Sequence, residues 1–150
     1  MIACAFHFRC KWFSLAKIYG VINRLLSNIF YPIAWTVLIQ VALCLPGTSI
    51  PSSGLFDIPQ LDKIVHIILF GAFTGFWCYY YYLQGKPSAA LKKIFFIVFL
   101  LAMANGIILE FVQKNFIPNR SFDEGDIIAD IIASGIAYGI CNIKLLKTNS

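Results

Sequence analysis

Charged residues are scarce in this chain: they make up 13% of its 150 residues, while hydrophobic residues make up 59%. A soluble domain of this length carries about a quarter charged residues, because its whole surface must be wetted. The shortage of charge, together with long apolar runs, argues against a soluble domain and predicts a membrane protein whose first partner is the lipid bilayer.

The sequence also lacks the motifs of several enzyme and binding classes. It has no GxSxG or SxxK nucleophile, no phosphate-binding loop and no dinucleotide fingerprint. Two histidines and five scattered cysteines argue against a zinc site or a disulfide framework, and most of the cysteines fit buried apolar positions. No basic face or recognition motif favours nucleic acid. We therefore predict no cofactor, no resident metal and no nucleic-acid partner.

Four apolar runs predict a single all-α domain, a four-helix transmembrane bundle over residues 27–146. Each run reaches or nearly reaches the ~20 residues that cross ~30 Å of hydrocarbon. Turn-forming residues at Pro46-Gly47 and at Gly85-Lys86-Pro87 separate the runs, and 46–61 is expected to be a loop. The spans are expected at about 27–45, 62–83, 91–113 and 126–146, with a short tail at 147–150.

The N-terminal segment, residues 1–26, mixes aromatic and basic residues. It has no compact apolar stretch followed by a small-residue cleavage site, so a removable signal peptide is not expected. Two interpretations stay open: a helix lying in the membrane interface, or a partly ordered cytoplasmic tail.

Basic residues are distributed unevenly around the expected spans. Nine of the twelve fall on one side, namely Arg9, Lys11, Lys17, Arg24, Lys86, Lys92, Lys93, Lys144 and Lys147. The seven acidic residues all fall on the other side. Because Lys and Arg are enriched in cytoplasmic segments, both termini are predicted to lie in the cytoplasm and the acids at the outer face.

Polar residues gather near the outer end of three expected spans. Residues four apart in a helix share one face. Each intramembrane carboxylate costs on the order of 3 kcal/mol, so these acids should face the bundle and meet partners such as Lys63 and Arg120. The polar residues are Asp62 and His66, then Gly106, Glu110 and Gln113, then Asp126 and Asp130, with Asp123 one turn earlier.

Several of these residues also fit simpler roles. Asp62, Asp123 and Asp126 stand where helix caps are expected, with Asp62 opening the second span. Gln113 could extend into the membrane interface.

Two further arrangements are compatible with the residues that caps do not require. In the first, a structural pair, Glu110–Arg120 or Asp130–His66, holds the bundle together. In the second, His66, Glu110, Asp126 and Asp130 form a carboxylate-rich site for a divalent cation. The sequence leaves both arrangements open.

Two glycine pairs have the small-xxx-small spacing that lets membrane helices approach closely. They are Gly71/Gly75 and Gly135/Gly139. We expect them to form packing surfaces between spans; homo-oligomerisation is an alternative use of the same surfaces.

Three stretches of the sequence resemble the VanZ-like family of small bacterial membrane proteins. They are LCLPG at 43–47, LDKIVHIILFGAF at 61–73 and ILEFVQKNFIPNRSFDEGDIIADIIASGIAYG at 108–139. The family pattern falls on Asp62, Lys63, His66, Glu110, Gln113, Arg120 and Asp126, whereas Asp130 stands where the family often has Asn. The resemblance implies a bacterial inner-membrane location and a link to glycopeptide-antibiotic sensitivity.

These observations lead to one principal functional expectation and three competing ones. The principal one is an outward-facing polar pocket that engages an amphipathic or lipid-linked cell-envelope molecule, whose head meets Lys63 and Arg120. The competing expectations are a membrane enzyme acting on an envelope lipid by acid/base chemistry, a proton-linked carrier and a structural partner protein. In the principal interpretation His66, Glu110 and Asp126 form hydrogen bonds or exchange protons, and Gln113 orients the head.

Overall fold

The structure, a computed structural model, describes residue 18 and residues 20–46 and 60–147. Within those residues the chain forms five α-helices and no strand, which confirms the all-α class. The expected interfacial helix falls largely outside the described residues, as do most of the loop at 46–61 and the tail residues 148–150. The helices are α1 (Gly20–Leu26), α2 (Phe30–Leu43), α3 (Leu61–Leu83), α4 (Ser88–Phe116) and α5 (Glu124–Lys147).

Helices α3, α4 and α5 are each long and apolar enough to cross a membrane, with 23, 29 and 24 residues. They coincide with the second, third and fourth expected spans, and they show that the chain is a multi-pass membrane protein. Helix α4 exceeds the expected 91–113 at both ends. It begins directly after Pro87, whose fixed backbone angle suits a position just before a helix, and it continues to Phe116.

The first expected span differs from a single straight helix. Helix α2 has 14 residues and rises only ~21 Å at ~1.5 Å per residue, which is short of a bilayer. Helices α1 and α2 together satisfy the length and composition of a span, but they are bent by 62°. Ser27 donates to the Arg24 carbonyl and Asn28 accepts from the Phe30 N–H, so both side chains bond backbone groups at the bend. A fourth span therefore remains a prediction.

The outer surface of α5 is apolar, whereas the inner surface of its first half carries buried polar side chains, the reverse of a soluble helix. Asp126, Asp130 and Ser134 are buried on the inner side. A continuous exposed apolar face of this size marks an interaction surface, and in a helix of this length lipid is the matching environment. The outward residues, each more than half exposed, are Ile128, Ile132, Ile136, Ile140 and Ile143.

The glycine pairs contribute one contact each. A Cβ at Gly71 would lie 3.8 Å from the Ala133 Cβ, and one at Gly135 would lie 3.7 Å from Phe99. At Gly75 and Gly139 a Cβ would meet nothing within 4 Å among the described residues. Close packing between spans is therefore seen at Gly71 and Gly135, whereas Gly75 borders a groove that Ile140 and Cys141 of α5 also line.

Polar side chains attach α2 to the rest of the bundle. Lipid gives little hydrophobic driving force between helices, so hydrogen bonds of this kind, worth about 0.6–2 kcal/mol each, help to hold membrane helices together. The bonds run from Trp35 Nε1 to the Leu69 carbonyl (3.0 Å), from Trp77 Nε1 to Thr36 Oγ1 (3.1 Å), from Gln40 Nε2 to Asn105 Oδ1 (2.7 Å) and from Gln113 Nε2 to the Leu43 carbonyl (2.7 Å).

A short turn makes α3 and α4 antiparallel. Gly85, in the left-handed region with φ of +67°, follows α3 and precedes Pro87 at the start of α4. The beginning of α3, the end of α4 and the beginning of α5 therefore meet at one end of the bundle. We call this the polar end.

Replacing Gln113 with Leu tests the attachment of α2. The change keeps the side-chain size but leaves the Leu43 carbonyl, at the end of α2, buried without its donor. We expect Gln113→Leu to lower the free energy of unfolding by about 1–2 kcal/mol, measured by SDS titration in mixed micelles. The control, Asn115→Ala, removes an exposed bond within α4 and should cost less than ~0.5 kcal/mol. Equal losses in the two variants would contradict the attachment.

Candidate functional site

Eight polar residues from α3, α4, α5 and the turn before α5 converge at the polar end. They form two groups that differ in exposure. The buried quartet is His66, Glu110, Asp126 and Asp130, none more than 2% exposed. The rim, which lies closer to solvent, is Asp62, Lys63, Arg120 and Asp123.

His66 joins α3 to α5 at the centre of the quartet. Its Nδ1 lies 3.0 Å from Asp130 Oδ1, so the expected Asp130–His66 pair is present. Its Nε2 points toward Asp126, with 3.9 Å to Oδ2, which is too long for a hydrogen bond. The ring stacks on Phe70, whose plane is inclined by only 7°. The imidazole is thereby held in one orientation.

Glu110 does not pair with Arg120. Its Oε2 accepts a hydrogen bond from the Asp123 backbone N–H at 3.0 Å, which connects the end of α4 to the start of α5. Arg120 instead lies 3.4 Å from Asp62 Oδ1. Of the two structural pairs that the sequence left open, Glu110–Arg120 therefore does not form, because the turn places the backbone, not the guanidinium, over the Glu110 carboxylate.

Lys63 connects the rim to the quartet. Its Nζ donates to Asp123 Oδ2 at 2.7 Å and to Asp126 Oδ1 at 3.2 Å. A Cβ at Gly125 would lie 2.6 Å from Lys63 Cε, so the glycine leaves the end of the lysine side chain free to take this position. The ammonium group thus neutralises part of the charge of two carboxylates.

The simpler roles considered for these residues have different outcomes. Asp123 does cap α5, since its Oδ1 accepts from the Gly125 N–H at 2.7 Å. Asp62 is not the cap of α3: Gln60 occupies that position, and Asp62 lies in the first helical turn. Gln113 is buried and donates to α2, so it neither extends into the interface nor joins the cluster.

The cluster carries an excess of negative charge. Five carboxylates stand against two cations, which leaves a formal charge of −3 when His66 is neutral. Glu110 and Asp130 are almost completely enclosed, and an uncompensated charge is expensive in such a place. The cluster therefore favours protons, hydrogen-bond donors or a cation.

Three acceptor atoms of the quartet have no hydrogen-bond partner among the described residues. They are His66 Nε2, Glu110 Oε1 and Asp130 Oδ2, and each is buried. An unsatisfied buried polar atom costs about 1–3 kcal/mol, so its presence in a folded protein requires an explanation. When Nδ1 donates to Asp130, Nε2 carries a lone pair, and all three atoms then offer lone pairs to a ligand.

Lone pairs from two helices also converge in a geometry that a metal ion could use. One donor atom each from Asp62, His66 and Asp126 lies within 4.8 Å of the others. This set differs from the divalent-cation site considered from the sequence, which included Glu110 and Asp130. In the structure Glu110 bonds to the Asp123 N–H, and Asp130 bonds to His66 Nδ1.

A mainly apolar cavity lies away from this cluster, between α2, α3 and α4 toward the opposite end of the bundle. Its volume is about 380 Å³, and Phe73, Trp77, Tyr81 and Lys86 are among the residues that line it. Because it holds none of the cluster residues, this cavity does not form the polar pocket expected from the sequence.

Comparison with protein-family models, curated proteins and solved structures gave no match. The candidate site therefore depends on its geometry alone.

Sequence reasoning placed Asp123 and Gly106 near the cluster without predicting their contacts, and it missed Gly125. Asp123 bridges Lys63 and Glu110. Gly106 lies one turn before Glu110 on the same polar stripe, and a Cβ there would come within 2.5 Å of Asp130 Oδ2. Gly125 has the corresponding role beside Lys63. A glycine one turn from a polar residue was the available signal for Gly106.

Replacing Gly106 with Ala tests whether this close approach positions the quartet. The added methyl group would force the whole Asp130 side chain to move, because Asp130 Cβ and Cγ are also within 3.3 Å. We expect a loss of about 1–3 kcal/mol of stability, measured by unfolding in mixed micelles. The matched control, Gly75→Ala, enters open space and should be neutral or stabilising by up to ~1 kcal/mol. Similar effects in both variants would contradict the tight Gly106–Asp130 contact.

The Lys63–Asp123 bond predicts a dependence of stability on acid pH. Lys63, followed by the Gly125 N–H, holds the pKa of Asp123 below its usual range. The ionised Asp123 carboxylate therefore stabilises the folded protein at pH values above the pKa that Asp123 has in the unfolded chain. This stabilisation is lost below about pH 4, as the pH falls through the lower pKa of the folded protein. We expect Asp123→Asn to be slightly less stable than wild type at pH 7, with the difference shrinking steadily as the pH falls below about 4. A difference that stays constant over this range would contradict the charge interaction.

Proposed function

We propose that this chain is an integral membrane protein whose polar end binds the head of an amphipathic or lipid-linked cell-envelope molecule. The observation that carries the proposal is a set of buried acceptors at His66, Glu110 and Asp130 that have no hydrogen-bond partner among the described residues. A bundle stabilised only for its own sake gains nothing from such atoms, whereas a binding site needs them.

The chemistry of the acceptors favours a head that donates hydrogen bonds. Sugar hydroxyls, amide N–H groups and an ammonium group all satisfy lone pairs, and a neutral or cationic head suits the excess negative charge. Lys63 is paired with two carboxylates and Arg120 Nη1 with Asp62, so both residues cover the quartet. The buried Arg120 Nε has no hydrogen-bond partner among the described residues and is available to donate to the head.

The position of the cluster supports a ligand of mixed polarity. The apolar outer faces of α3, α4 and α5 would contact the tail of such a molecule, while the polar end would meet its head. We further propose a bacterial inner-membrane location with the polar end outward and both termini in the cytoplasm. The distribution of basic residues and the resemblance to VanZ-like proteins support this orientation, and the resemblance suggests an effect on glycopeptide sensitivity.

A second candidate function is acid/base chemistry on an envelope lipid. One observation favours it: Asp130 holds His66 at Nδ1, and Nε2 has no hydrogen-bond partner among the described residues, so the tautomer that donates from Nδ1 offers Nε2 as a base. Such an arrangement of carboxylate and imidazole activates water or a hydroxyl group in many enzymes. In that case the bound head would be cleaved or transferred, and the same acceptors would position it.

Glu110→Gln tests the proposed binding. The amide can still accept the Asp123 N–H, but the other terminal atom becomes a donor and can no longer accept from a ligand. We expect wild-type protein in detergent to retain a glycolipid or phosphatidylethanolamine in preference to phosphatidylglycerol, measured by native mass spectrometry. Glu110→Gln should weaken that retention by at least about 10-fold, the loss of one strong hydrogen bond.

The control variant is Glu124→Gln, which removes an equal charge from an exposed position in the first turn of α5. It should retain lipid as wild type does. Unchanged retention in Glu110→Gln would contradict the binding proposal. Lost retention together with a large fall in melting temperature would point to a structural role. Conversion of the retained lipid, abolished by His66→Ala, would favour the enzyme.

A further inference from the structure

We infer that the polar end contains a binding site for a divalent transition-metal cation, ligated by Asp62, His66 and Asp126. These residues come from the first turns of α3 and α5, and their donor atoms lie within 4.8 Å of one another. The site goes beyond the proposed function, which requires no metal. It also differs from the cation site considered from the sequence, because the rim residue Asp62 replaces Glu110 and Asp130 as a ligand.

His66 has the arrangement of a metal-binding histidine. In metal sites the ring nitrogen that does not bind the metal usually donates to a carboxylate or carbonyl, which fixes the tautomer and turns the other nitrogen toward the ion. Here Nδ1 is bonded to Asp130 at 3.0 Å, and Nε2 is buried without a partner in the described residues. The free nitrogen faces Asp126 Oδ2, the oxygen that Lys63 does not contact.

The donor atoms, up to 4.8 Å apart, must move closer together to hold an ion. A Zn²⁺ ion with ligands at about 2.1 Å holds tetrahedral donor atoms about 3.4 Å apart. The separation of Nε2 from Asp126 Oδ2, 3.9 Å, exceeds this by about half an ångström. Asp62 has the most freedom to approach, since its side chain is 46% exposed and its one ion pair, with Arg120, is long at 3.4 Å.

The charge of the cluster favours a cation despite the nearby ammonium group of Lys63. Lys63 already shares its charge between Asp123 and Asp126, and the eight residues together still carry a formal −3. A divalent ion would reduce this to about −1 and would satisfy the His66 lone pair at the same time.

The ligand set indicates the class of ion. One imidazole with two carboxylates suits Zn²⁺, Mn²⁺ or Fe²⁺ better than Ca²⁺ or Mg²⁺, which prefer oxygen alone. Three protein ligands leave a coordination position open. That position would accept an oxygen of the bound head. This role of the ion rests on the proposed function, whereas the binding of the ion does not depend on it.

Metal titration of the full-length protein tests the inference. The probes are Zn²⁺ and Mn²⁺, added separately to chelator-treated, tag-free protein in detergent, with bound metal measured by elemental mass spectrometry. We expect about one ion per chain for at least one of the probes. Asp130 is the outer partner that orients His66, and Asp130→Ala should weaken metal binding by about 10–100-fold. Asp62→Asn and Asp126→Asn each alter a direct ligand and should weaken it by more than that.

Two comparisons keep the result interpretable. Glu124→Gln should bind as wild type does, because it removes the same charge outside the ligand set. Asp62 lies at the exposed rim, so Asp62→Asn is expected to fold even if Asp126→Asn does not, and circular dichroism checks each variant. Absence of stoichiometric binding of both probes would overturn the inference, as would binding that persists in Asp62→Asn, for example at cysteines.

The outcome for metal is separable from the outcome for lipid. Metal binding is measured without any lipid-linked molecule, and lipid retention can be measured with and without chelator. Metal binding without lipid retention would overturn the proposed function alone. Lipid retention by a protein that binds no metal would overturn the metal site alone.

Discussion

The bond between His66 Nδ1 and Asp130 Oδ1 connects two helices inside a bundle whose outer surface is apolar. A carboxylate in such a place is stable only if it is partnered or protonated, because lipid supplies no hydrogen bonds to replace those of water. The absence of a side chain at Gly106 makes this bond possible, since it leaves Asp130 the space to reach His66. Much of the polar end follows from this need to compensate buried charge.

The rim leaves that compensation incomplete. Lys63 serves two carboxylates, Arg120 serves one, and Glu110 uses one oxygen for a backbone N–H. A cluster selected only for stability would be expected to pair its remaining buried acceptors or replace them with apolar groups. Three quartet atoms without a hydrogen-bond partner among the described residues, on His66, Glu110 and Asp130, share one chemical property, an acceptor lone pair. That property suits the donor groups of a lipid head and the coordination shell of a cation alike.

The other end of the bundle shows what ordinary membrane packing looks like in the same chain. There the buried residues are Cys78, Leu91, Phe95 and Cys141, with tyrosines around them, and the cavity is apolar. Hydrogen bonds away from the polar end join helices singly, as between Trp77 and Thr36. The concentration of carboxylates is therefore a local property of the polar end. It reflects the site and not the general composition of the bundle.

The helical class and three of the spans could be predicted from the order of residues alone, because hydrophobic length is a one-dimensional property that the bilayer thickness sets. His66, Glu110, Asp126 and Asp130 could also be identified in this way, since charged residues inside apolar runs are costly and therefore conspicuous. Their pairing required the folded chain. Whether Arg120 meets Glu110 or Asp62 depends on the path of a turn, and whether Gln113 faces the cluster or α2 depends on how a bent first segment packs. Those are differences of a few ångströms between helices, and spacing within one helix carries no information about them.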